Sequence, residues 1–125
     1  MTGTAHRFHV IRTLTSCDCP YPLDFSNCTH HFIERLDRLT RTGSGVGKVF
    51  AGFLVDKGHE NGTEEHYITT TGIIVVRNHR THKAITIMIA RPAQLERYFK
   101  ACGTILPRIV GRIAEYNTSV CHYNY

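Results

Sequence analysis

Apolar residues change their spacing along the chain, and the changes mark out its elements. Residues His6 to Leu14 alternate loosely between apolar and polar, which predicts a first strand. Ser16 to Asn27 carries two prolines among turn formers and reads as a loop. Phe32, Ile33, Leu36 and Leu39 then fall at helical spacing, with Asn27 or Thr29 placed to cap the helix. That helix should end in the glycine-rich stretch Thr42 to Gly47.

Lys48 to Val55 reads as a strand, and Asp56 to Glu65 as a polar loop. Two runs rich in Ile, Val and Thr follow, His66 to Arg77 and Lys83 to Ala90. The short polar segment between them predicts a hairpin. Alternation puts Tyr67, Thr69, Thr71, Ile73 and Val75 on one face. Pro92 can open a helix ending near Gly103. A last helix is expected from Pro107 to about Tyr116, with Ile109, Ile113 and Tyr116 inward. The order predicts an α+β fold: a twisted, mostly antiparallel sheet of three to four strands, one helix before the central hairpin and helices after it. The helices are expected on one face.

A chain of 125 residues suits a single domain, 1–125, and 42% apolar residues supply a core for it. No run of 18 apolar residues occurs, so no membrane helix is expected. The first ten residues lack an apolar core of the signal-peptide kind, and the five cysteines are odd in number. Both features favour a reduced, cytoplasmic setting. The net charge of +5, with nine histidines in addition, favours a polyanionic partner.

Four groups can carry chemistry. On the first helix, His31, Arg35 and Arg38 fall at i, i+4 and i+7 beside Thr29, His30 and Glu34. A histidine can move a proton there while arginines clamp a phosphate; a solvated helix face gives the same pattern. Around the hairpin, His66, Tyr67, Thr69, Thr71 and Arg91 could hold a phosphate or a base, although threonine also simply favours strands. The hairpin tip gathers Arg77, Asn78, His79, Arg80, His82 and Lys83, a basic finger that can follow a phosphate backbone or be an ordinary exposed turn. Last, Cys17, Cys19, Cys28 and His30 offer zinc-type ligands, without one of the strong zinc spacings. Phosphate-binding glycine loops, the serine-hydrolase elbow and H-E-x-x-H are absent from the sequence, which removes support for those chemistries.

The segments THHFIERLDR and HYITTTGIIVVRNHRTHKAITIMIAR, with the order of elements, resemble the small microbial ribonuclease superfamily of RelE/ParE-like toxins and the barnase, EndoU and colicin nuclease domains. Similar domains occur in phage and mobile elements. The resemblance implies metal-independent RNA cleavage without a cofactor, with RNA, including tRNA, as substrate. It implies His31 or His66 as acid or base, Arg35 and Arg91 on phosphate, and Thr71 orienting it. A protein inhibitor or target is a further partner class. Two other readings remain open from the residues: a non-enzymatic basic binding protein, such as a phage-encoded inhibitor or nucleic-acid accessory protein, and a zinc-stabilised interaction module.

Overall fold

A computed structural model describes residues 7–13, 26–41, 46–47, 49–59, 62–101, 103 and 105–120, with side chains for all of these except 7–13, 56–59 and 62. In chain order the elements are β1 (Arg7–Thr13), α1 (His30–Arg41), β2 (Val49–His59), β3 (Gly62–Thr69), β4 (Ile73–Asn78), β5 (Ala84–Ile89), α2 (Pro92–Ala101) and α3 (Arg108–Val120). The strands form one sheet in the order β1-β2-β3-β4-β5, and each neighbouring pair is antiparallel. The α+β expectation holds, with five strands in the sheet.

Two strand boundaries differ from the sequence expectation. His66 to Arg77 is not one strand: β3 ends at Thr69, and the chain turns through Thr70, Thr71 and Gly72 into β4. Gly72 has φ +77°, a backbone that side chains rarely adopt, and a Cβ there would lie 2.8 Å from Asn117 Nδ2. The run of β-branched residues masks the turn because the same residue types fill both strands. The expected polar loop from Asp56 to Glu65 is instead mostly ladder, since β2 and β3 pair down to His59 opposite Gly62.

The helices lie on both faces of the sheet rather than on one. Phe32 and Leu39 of α1 pack with Tyr67, Ile73, Val75, Ile87 and Ile89. On the other face, Leu95, Tyr98 and Phe99 of α2 and Val110 and Ala114 of α3 pack with Phe53, Ile68, Ile74 and Val76. The alternation along β4 explains this: residues 73 to 76 are all buried, so both faces need a cover. Ile33, Ile109 and Tyr116, expected inside, are more than half exposed. Val110 and Ala114 take the inward positions of α3.

Thr29 starts α1 as its cap. Its Oγ1 accepts from the Phe32 N–H at 3.1 Å and donates to the Ile85 carbonyl at 2.7 Å. The segment before it bridges Cys28 to Ala84, tying the start of α1 to β5. Asn117 of α3 donates to the Thr71 carbonyl at 2.8 Å and so anchors α3 on the β3–β4 turn. No helix among the described residues is long and apolar enough to cross a membrane.

Candidate nucleic-acid interface at the hairpin tip

Strand parity sends Glu64 and His66 to the α2–α3 face, and Glu65, Tyr67 and Arg77 to the α1 face. His66 is 6% exposed and stands edge-on to the Tyr98 ring. Its Nδ1 lies 2.6 Å from Tyr98 Oη, and its Nε2 lies 3.3 Å from Glu64 Oε1. One assignment satisfies both contacts: Nε2–H donates to the carboxylate, and Nδ1 accepts the phenol hydrogen. Burial pushes the Tyr98 phenol up to about 12, so it keeps that hydrogen. His66 is therefore a core residue within a closed network, not a group within reach of a substrate.

On the α1 face, Arg77 donates through Nε at 3.1 Å and Nη2 at 3.0 Å to Glu65 Oε1, and Nη2 also reaches Tyr67 Oη at 3.0 Å. The guanidinium carbon sits 5.1 Å from the Tyr67 ring centre. Glu65, Tyr67 and Arg77 are each at most 5% exposed. Burial, then the Glu65 charge, holds the Tyr67 phenol above its usual range, with Arg77 acting against them. Arg77 belongs to this buried pair and not to the exposed finger expected from the sequence.

The buried pair reaches the surface at the end of β4. His79, just beyond β4, places Nδ1 3.0 Å from Glu65 Oε2, and its side chain is about half exposed at 51%. An ionised carboxylate can only accept, so Nδ1 carries the hydrogen and Nε2 is left as the nitrogen that can take a proton. Glu65 thus fixes the ring, and Arg77 fixes Glu65.

The rest of the tip is held by hydrogen bonds to its backbone. Asn78 Oδ1 accepts from the N–H groups of Arg80 at 2.8 Å and Thr81 at 2.9 Å. The tip closes through His82 N–H to the Asn78 carbonyl and Asn78 N–H to the Lys83 carbonyl, both 2.9 Å. Asn27 adds a brace to the Thr81 carbonyl at 3.2 Å. His82 adopts φ +61°, a conformation uncommon outside glycine and one for which histidine is enriched. His79, Arg80, His82 and Lys83 all come out exposed.

The other sequence candidates are scattered. His30, His31 and Arg38 are exposed on α1. Arg35 is half-buried, and its Nη1 is shielded from solvent without a hydrogen-bond partner. His31 is exposed on α1, whereas the His66 side chain turns to the opposite face of the sheet against Tyr98 of α2, so the histidine pair needed for a shared acid–base site is not brought together. Arg91 is exposed at the end of β5. Thr71 Oγ1 donates to the Val46 carbonyl at 2.7 Å and lies 3.1 Å from Thr69 Oγ1, a role in tying the turn. Cys17 and Cys19 lie outside the described residues; Cys28 is a free, partly exposed thiol. No group of three metal-type ligands occurs among the described residues.

Sequence reasoning placed His79 in the finger but missed its link to Glu65. The signal was available in the register: two strands joined by a turn at Gly72 bring residues 65 and 77 opposite each other. Comparison of the chain with family models, with curated proteins and with solved structures returns no match.

Proposed function

We propose that the protein grips single-stranded RNA with the β4–β5 tip and cleaves it without a metal. The observation that carries this reading is His79, half exposed and oriented by a buried carboxylate, within a hydrogen-bonded tip that also presents Arg80, His82 and Lys83. Cationic side chains carried on a hydrogen-bonded turn suit a phosphate backbone, because the turn itself need not be ordered on contact. In the proposed step His79 Nε2 takes the proton of a ribose 2′-hydroxyl. The oxygen attacks the adjacent phosphorus, and the bond to the 5′-oxygen breaks. The leaving oxygen takes a proton from the imidazolium of His82. Arg80 and Lys83 offset the charge that builds on the phosphoryl oxygens. The products are a 2′,3′-cyclic phosphate and a 5′-hydroxyl.

The test is incubation with end-labelled single-stranded RNA and tRNA in EDTA. Cyclic-phosphate products from the wild type, absent with His79→Ala and absent on 2′-deoxy substrates, are expected. RNA left intact at large protein excess refutes cleavage. Binding without cleavage is the second reading, favoured by the sheet that separates His31 from His66. It predicts unbroken RNA held in a salt-sensitive complex. Replacing both Arg80 and Lys83 by alanine should then flatten the slope of log affinity against log salt by about 0.7 per lost phosphate contact.

A further inference from the structure

The start of α1 is fastened to the β4–β5 tip. Ala84 N–H donates to the Asn27 carbonyl and Thr29 N–H to the Ala84 carbonyl, both at 2.9 Å. Asn27 Nδ2 donates to the Thr81 carbonyl at 3.2 Å, and Thr29 Oγ1 to the Ile85 carbonyl at 2.7 Å. These bonds set the first turn of α1, with exposed His30 and His31, close to exposed Arg80, His82 and Lys83. The cationic surface of the tip therefore does not stop at Lys83 but continues onto α1.

Charge is sorted along that helix. His31, Arg35 and Arg38 fall at i, i+4 and i+7 and share one strip, with exposed Glu34 at its edge, while Asp37 and Arg41 pair on another side. Arg35 makes a second, independent point. It is half-buried, and its Nη1 is shut from solvent with no hydrogen-bond partner. A cationic donor held in this way is costly unless an anion offsets its charge. Two carboxylates of the same side of the molecule are engaged elsewhere, Asp37 with Arg41 and Glu65 with Arg77 and His79. An oxyanion laid from outside against the outer edge of the guanidinium supplies the missing charge.

We propose that His31, Arg35 and Arg38 form a second phosphate-binding strip, which takes flanking phosphates of the same strand that the tip grips. The inference rests on the RNA reading of the tip and lengthens its footprint from a turn to a track. Arg35 is the anchor, because a planar guanidinium can donate twice to one phosphodiester. His31 lies one turn back towards the tip and Arg38 one turn further on, so the strip spans about 10 Å along the helix. A single strand can bend from the turn onto the helix, whereas a duplex is stiff over that distance. The three residues hold substrate, and the proton steps stay at the tip.

The probe is a fluorescein-labelled 2′-deoxy strand of ten nucleotides, which the full chain can bind without cleaving, titrated at several salt concentrations. Fluorescence anisotropy should show one strand per chain. Arg35→Met with Arg38→Gln should weaken binding at least tenfold and flatten the slope of log affinity against log salt by about 0.7 per lost phosphate contact. Arg80→Ala with Lys83→Ala should also weaken it at least tenfold, because one strand joins both places. Arg35→Met removes a cation without a partner, so its melting temperature should equal or exceed that of the wild type, which a general loss of folding cannot mimic. Arg38→Gln alone, at an exposed position, repeats the test if Arg35→Met does not fold. Losses of no more than twofold from each pair of substitutions, with two strands bound per chain, mean separate sites and overturn the proposal. Wild-type affinity in the α1 variant, with loss confined to the tip variant, also overturns it and leaves the tip reading standing. Loss confined to the α1 variant overturns both. Displacement of the strand by low millimolar inorganic phosphate at constant ionic strength overturns it in favour of a site for free phosphate.

Discussion

Glu64 and Glu65 are neighbours in sequence, and each meets a histidine, but on opposite faces of the sheet and with opposite outcomes. Glu64 meets His66 beneath α2, where Tyr98 closes the network and the imidazole is 6% exposed. Glu65 meets His79 at the end of β4, where the imidazole stays half in solvent at 51%. The chemistry of the two pairs is the same. What differs is whether the second ring nitrogen faces a protein hydroxyl or the exterior. A histidine–carboxylate contact is closed within the core in the first case and opens to solvent in the second.

The largest effect should come from breaking the support under the outer pair. Arg77→Met leaves Glu65 buried without the guanidinium that donates twice to its Oε1 and should cost about 3–5 kcal/mol in urea unfolding. Adding Glu65→Gln to Arg77→Met should recover part of that loss. A cost of Arg77→Met below about 1 kcal/mol would mean that Glu65 is solvated and that the comparison fails.

The inner pair should respond next. Tyr98→Phe removes the hydrogen that His66 Nδ1 accepts and should destabilise by about 1–3 kcal/mol without altering RNA contact. The same pair predicts alkaline behaviour. Burial raises the Tyr98 phenol to about 12 in the folded chain, above about 10 when unfolded. Its contribution is therefore complete below pH 10 and is lost as pH rises from about 10 to 12, a change of roughly 2–3 kcal/mol. Thermal melts across that window should fall more steeply in the wild type than in Tyr98→Phe; parallel curves would contradict the assignment.

Smaller effects sharpen the contrast. Gly111→Ala should stabilise α3 by up to about 1 kcal/mol. His79→Ala should change stability by less than about 1 kcal/mol, because half the ring is already in water, and on the proposed reading it removes RNA cleavage. His66→Ala should do the reverse: a clear loss of stability, with residual activity proportional to the folded fraction.

Much of the fold was legible from the residues. The stripe Phe32, Ile33, Leu36 and Leu39, with Asn27 or Thr29 as cap, predicted α1, although Ile33 is exposed and Thr29 is the cap; the β-branched run Lys83 to Ala90 predicted β5. The turn at Gly72 was hidden because threonine and isoleucine favour strands on either side of it, and periodicity alone cannot see a chain reversal inside a uniform run. The dipeptide Asn61–Gly62, a strong hairpin signal, lay within a segment whose polar residues suggested a loop. The site was less legible for the same reason. His31 and His66 look alike in sequence, but only strand register shows that they belong to opposite faces. Arg77 looks like the base of a basic finger until β3 and β4 pair and place Glu65 opposite it.

The most direct test of the central claim follows the histidine ring signals by NMR while a non-cleavable 2′-deoxy oligonucleotide is added to the full chain. Contact at the tip predicts that the His79 and His82 resonances shift and saturate together, with His66 unmoved. Shifts confined to His30 and His31, or a shift of His66 with His79 still, would contradict it and move the interface to α1 or to the α2–α3 face.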